Sequence, residues 1–139
     1  MDELPDWQEG TVTVLCTAGD RPHAIPVSTA VRAGPRRVLI ALGLGRESLA
    51  RLRQDPHCAL TVMAAGDVAF TAHARASILA APMEAIDGVA AVALDVDDIQ
   101  DHMQPRFAID GAVAWRWTDT EARERDGEVR AALLALARR

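Results

Sequence analysis

Lysine, asparagine and tyrosine are absent from this chain, and all fifteen basic residues are arginine. GC-rich coding produces such a bias. An arginine can then stand where another protein would carry lysine or asparagine. Cysteine is scarce. Cys16 and Cys58 lie far apart, each inside a stretch that reads as strand. They have no metal-binding spacing and are expected as small buried hydrophobes. No apolar run approaches the ~18 residues of a membrane helix. The acidic start, Met1–Asp6, has no apolar run behind it, so no signal peptide is expected and the cytoplasm is the expected location. The net charge of −5 argues against a nucleic-acid binder, which would carry a basic excess. A small anionic ligand remains compatible, because a local pocket can be basic in an acidic protein.

What is present is apolar sequence in short, punctuated runs. Half of the 139 residues are hydrophobic, enough for one domain spanning 1–139 with its own core. Thr11–Thr17 alternates as a strand does. Ala18-Gly19-Asp20-Arg21-Pro22 is turn chemistry, and a second strand is expected over His23–Arg32. Ala33-Gly34-Pro35 turns again into a third strand, Arg37–Leu42. In Arg46–Gln54, Leu49 and Leu52 fall three apart on one side of a short helix, which Asp55-Pro56 ends. Strands are expected at His57–Ala64 and Val68–Leu79. Val89–Val96 reads as a strand or a helix–strand hybrid, and Gly111–Trp117 as a last strand. Thr118 or Asp119 can cap a terminal helix, interrupted at Gly127 and amphipathic through Val129, Leu133 and Leu136. The sum is a mainly β protein: a closed antiparallel barrel of about six strands, a short helix between strands three and four, and a C-terminal helix. Closure would remove the sheet edges. So small a barrel leaves apolar surface for a second copy, so a homodimer is expected.

The order of these motifs resembles the flavin-binding split barrels related to pyridoxamine 5'-phosphate oxidase. The family carries an Asp-Gly-x-Pro-His turn before its second strand; here it is Gly19-Asp20-Arg21-Pro22-His23. It then has a loop and short helix ending in Asn-Leu, followed by Asp/Asn-Pro-Arg and an apolar strand; here that is Arg46 to Leu52, then Asp55-Pro56-His57 and Cys58-Ala59-Leu60. Ala72-His73-Ala74 stands for a Gly-x-Ala step. The similarity covers roughly residues 4 to 80. It implies flavin mononucleotide (FMN) at a dimer interface, with the ring along Ile25, Pro26, Val27 and Ser28 and near Ala41 and Leu42. The phosphate would fall near Arg46 and Ser48, with Arg51, at the family's Asn position, as a second candidate ligand. Glu47 stands where the family has a cation, and its carboxylate would have to point away. The C-terminal arginine motif of pyridoxamine phosphate oxidase itself is missing. The resemblance therefore implies an FMN-dependent oxidoreductase of another substrate. Its alternatives are a deazaflavin-dependent reductase and a non-enzymatic haem- or ligand-binding barrel.

Other residues carry weaker signals. The histidines His23, His57, His73 and His102 have no metal-like spacing, and His102 is the one candidate for haem. Asp95, Asp97, Asp98 and Asp101 form an acidic run without the glycine turn and terminal glutamate of a calcium loop, hence a solvated face. Trp115 and Trp117, two apart, would share one face of a strand, packing in the core or at a dimer interface, or stacking near a flavin. No Ser-His-Asp set, Cys-His set or carboxylate pair stands out.

Overall fold

Every second side chain of His57–Ala64 is buried: Cys58, Leu60, Val62 and Ala64 point one way and His57 and Met63 the other. This alternation recurs through a computed structural model that describes all 139 residues. Its elements are β1 (Thr13–Thr17), β2 (His23–Val27), β3 (Val31–Gly34), β4 (Arg37–Gly43), α1 (Glu47–Gln54), β5 (His57–Ala64), β6 (Val68–Ala80), β7 (Val89–Asp101) and α2 (Thr120–Ala137). The strands form one antiparallel sheet in the order β2-β1-β5-β6-β7-β4-β3. No helix is long and apolar enough to cross a membrane.

The sheet wraps a main core that includes Leu15, Val38, Ile40, Leu60, Val62, Phe70, Val92 and Leu94, with Leu49 and Leu52 of α1 closing one end. The segment before β1 adds Leu4 and the ring of Trp7, whose Nε1 donates to the Ala30 carbonyl at 3.0 Å. A second, thinner core lies on the outer face of β3, β4 and β7. There Val129 and Leu133 of α2 meet Val31, Leu39, Met83, Ile86, Ala91 and Ala93.

The expected second strand is two strands. β2 pairs only with β1, and β3 pairs only with β4. The link 28–30 carries the chain from one edge of the sheet to the other, so seven strands replace about six and the helix follows the fourth. Closure is also corrected: no ladder joins β2 to β3. The edges are blunted instead. β2 is five residues long and contains Pro26, which has no N–H to offer, and β3 is four residues long with a bulge between Arg32 and Gly34.

Val89–Asp101 is strand throughout. It lies between β6 and β4 with Ala90, Val92 and Leu94 toward the main core and Ala91 and Ala93 toward the second. Burial on both faces removes the sequence alternation that marks a half-buried strand. The expected strand Gly111–Trp117 does not form. It pairs with neither edge of the sheet, and 102–118 runs as an irregular strap tied down by Trp115 Nε1 donating to the Gly10 carbonyl at 2.8 Å. Gly127 does not interrupt α2, which Asp119 caps by accepting from the N–H groups of Glu121 and Ala122. Cys58 is buried as expected. Cys16, on the outward side of β1, is exposed.

Candidate functional site

The chain leaves β4 through Gly43-Leu44-Gly45 and enters α1 at Arg46. Leu44 N–H donates to the Gly88 carbonyl at 2.9 Å, and Arg46 N–H to the Gly43 carbonyl at 3.1 Å. Arg46 is the N-cap residue, yet its side chain makes no capping bond, so the first-turn N–H groups of α1 have no side-chain acceptor. Ser48, in that first turn, is 1% exposed and its Oγ has no hydrogen-bond partner. A buried hydroxyl left in this state costs about 1–3 kcal/mol. The Arg46 stem lies over Gly43: a Cβ there would come 3.3 Å from its Cγ, so the bare glycine is what permits the approach. The Arg46 side chain is exposed, and no carboxylate or carbonyl of the chain takes its guanidinium.

Glu47 does turn aside. It accepts from Arg51 Nε at 3.2 Å and pairs with His23 Nδ1 at 2.8 Å. Arg51 is committed to the β1–β2 turn. Its Nη1 donates to the carbonyls of Ala18 and Arg21, and its Nη2 lies 3.6 Å from Asp20. A Cβ on Gly19 would collide with this guanidinium, so a side chain there would force Arg51 to shift from its carbonyl partners.

Beside the loop is a cavity of about 230 Å³. Its floor is Thr29, Ala41, Gly43 and Val89; its wall is Trp117 with Ala122, Arg125, Asp126 and Val129 of α2. Thr29 Oγ1 accepts from Ala41 N–H at 3.0 Å and donates to the Ala41 carbonyl, pinning the 28–30 link to β4. Arg125 donates to the Asp87 carbonyl and stands against Gly88. The volume lies below the roughly 300–1,000 Å³ of ordinary ligand pockets, so it suits one ring system of a larger ligand. A larger cavity of about 630 Å³ adjoins it and shares Trp117 and Asp126.

Of the sequence candidates, Ala41 lines the smaller cavity. Ser28 precedes Thr29 and is half-buried, and Leu42, beside Ala41, faces the main core. Val27 is buried in that core, Ile25 packs against it, and Pro26 is exposed on the opposite side of β2. Arg46 and Ser48 stand together at the start of α1, apart from Arg51 with its turn. Sequence reasoning missed the α2 wall. The signal was available: residues 122, 125, 126 and 129 follow the three-and-four spacing of one helix face.

The histidines are distributed. His57 Nδ1 lies 2.7 Å from Asp55 Oδ1, and the Asp55 carboxyl is held below its ordinary value by the His57 backbone N–H first and the ring second. His73 is exposed. His102 Nε2 is 2.8 Å from Thr71 Oγ1, which in turn bonds Thr61 Oγ1. The aspartates of the acidic run are exposed.

No protein-family model matches the sequence, and no curated protein is similar to it in sequence. Solved structures are similar in fold. A candidate pyridoxamine 5'-phosphate oxidase from Lactobacillus delbrueckii superposes with a TM-score of 0.57 at 14% identity, over 71% of this chain and 94% of the other. An F420 reductase gives 0.57 at 9% identity over 67% and 91%. The NADH:FAD oxidoreductase SgcE6 of Streptomyces globisporus gives 0.53 at 15% identity over 66% and 75%. The open seven-stranded sheet, with its split between β2 and β3, is accordingly the fold of the flavin-binding split barrels related to pyridoxamine 5'-phosphate oxidase.

Proposed function

We propose that this protein binds FMN and is a flavin-dependent oxidoreductase of a small substrate, working as a homodimer. The observation that carries the reading is the buried, unpartnered Ser48 hydroxyl at the uncapped start of α1, where Arg46 lies over Gly43, a residue that lines a ring-sized cavity with Thr29 and Ala41. A phosphate needs cations, hydroxyls or N–H groups at a helix start. Arg46, Ser48 and the first-turn N–H groups are of this kind, and the Glu47 carboxylate is already held aside by His23 and Arg51. When bound, a flavin supplies hydride and single-electron transfer, while the protein supplies position and electrostatics. Thr29 holds the floor of the cavity to β4, Trp117 and Val129 exclude water from one side, and Arg125 adds positive charge at the wall. The exposed Val14, Cys16 and Met63 on the outer face of β1 and β5 offer apolar surface to a second copy.

Titration with FMN tests this. Arg46→Ala should weaken binding by about one to two decades, as loss of a charge-assisted hydrogen bond implies. Unchanged affinity in the variant, or no binding by the parent, rejects the site. The likeness to an F420 reductase favours a deazaflavin as the second reading. Tighter binding of a deazaflavin than of FMN in the same titration would select it. Light scattering should give twice the monomer mass.

A further inference from the structure

The larger cavity contains an unusual group. Arg130 of α2 is 4% exposed, yet both terminal nitrogens of its guanidinium, Nη1 and Nη2, are buried without a partner. Only Nε is engaged, donating to Asp126 at 2.8 Å and lying 3.8 Å from the exposed Glu9. A planar fork with two free, desolvated donors matches a carboxylate in bidentate geometry. Two more features define the ligand. The indoles of Trp115 and Trp117 stand edge to face at 5.4 Å beside the fork, a surface that suits a further aromatic ring. The lining carries Arg116, Arg123 and Arg130 against Glu9 and Asp126, three cations to two anions. The surplus of one positive charge suits a monoanion better than a phosphate monoester, whose charge near neutrality is about −1.5 to −2.

We infer that this cleft binds an aromatic carboxylate, with its carboxylate on the Arg130 fork and its ring against the Trp117 indole. Trp115 is the entrance. Gly10 stands between it and the fork: a Cβ on Gly10 would come 3.7 Å from Trp115 Cζ2 and 3.9 Å from Arg130 Nη2. A single hydrogen bond joins Trp115 to Gly10, and Trp115 belongs to the irregular strap. A ligand reaches the fork by displacing this indole, and its ring then rests against Trp117, which stays in place. Trp117 and Asp126 line this cleft and the smaller cavity alike, so a bound carboxylate would lie beside the proposed ring site. Its role as substrate rests on the flavin reading. The binding site does not.

Benzoate is the probe, with benzyl alcohol as its uncharged counterpart and phenyl phosphate as the dianion. The full chain is titrated by tryptophan fluorescence and calorimetry without flavin. Titration of the same samples with FMN then scores the flavin reading separately. Benzoate should bind and perturb the fluorescence, benzyl alcohol should not bind, and phenyl phosphate should bind more weakly. Arg130→Lys, which keeps the charge and loses the fork, should weaken benzoate about tenfold or more. Glu9→Gln alters an exposed side chain and cannot be confused with misfolding; it should tighten benzoate by up to about threefold. The inference is overturned if benzoate fails to bind the parent or binds no better than benzyl alcohol. It is equally overturned if phenyl phosphate binds more tightly, if folded Arg130→Lys keeps full affinity, or if Glu9→Gln weakens benzoate.

Discussion

The two cores of this protein are built to different standards. The interior of the barrel is almost entirely apolar: Thr13 is buried with its hydroxyl donating to the Val27 carbonyl, and Cys58 is the one ionisable group of the core. The layer beneath α2 is thin, relies on alanines at β7 and borders the smaller cavity. Orphaned donors appear at the margins of the barrel, on Thr17 and Ser48, and under α2 on Arg130. Aliphatic packing fixes a shape, and the places where packing is incomplete leave room for chemistry.

Four substitutions or titrations sharpen this contrast. Phe70 is fully buried in the barrel with its ring 5.8 Å from Trp7. Phe70→Ala should cost about 3–5 kcal/mol in denaturant unfolding. A loss below that of the α2 variants that follow would reverse the ranking of the two layers.

Cys58 gives the next effect. Burial pushes its thiol from an ordinary 9.0 up to about 12. The folded state holds that proton more tightly, so stability is fully present below pH 9.0 and is lost as pH rises toward 12. The slope should approach about 1.4 kcal/mol per pH unit. With no lysine or tyrosine in the chain, few other groups titrate in that window. Alkaline unfolding curves should therefore steepen in the parent and flatten in Cys58→Ala. A slope that persists in the variant would show that the barrel interior is not its source.

Smaller effects are expected in the outer layer. Asp119→Ala removes the α2 cap and should cost about 1 kcal/mol. Gly127→Ala should stabilise by roughly 0.5–1 kcal/mol, because a Cβ there meets nothing within 4 Å in an unbroken helix. Thermal melts of the two read opposite signs. If Gly127→Ala destabilises, the helix has a tertiary constraint at that position.

Sequence patterning served the barrel better than the site. His57–Ala64 was legible to the residue, since one face is buried and a proline turn precedes it. The helix at 46–54 followed from its flanking residues, and of the two cap candidates Thr118 and Asp119 the structure selects Asp119. Gly111–Trp117 was misread because alternation records what a strand would bury, and says nothing of whether the segment pairs with any strand. The break at 28–30 was invisible for the same reason: the residues on either side pair with different strands, and only the whole sheet decides that. The start of α1 could be found from its glycines and Arg46. The spacing of 122, 125, 126 and 129 marked one face of α2, but which strands that face lands on is a tertiary fact.

One consequence of the strand order concerns synthesis. β4 joins the sheet only through β7, and β3 only through β4. When the 31–43 hairpin leaves the ribosome, its permanent neighbour, beginning at Val89, has not been made. At about 5–20 residues per second the wait is on the order of several seconds. Meanwhile β1, β2, β5 and β6 can already pair in sequence order, and Val38, Ile40 and Leu42 stay uncovered on a two-stranded flap. The nascent chain is most prone to misassembly at this stage, and the arrival of a single strand, Val89–Asp101, ends that exposure.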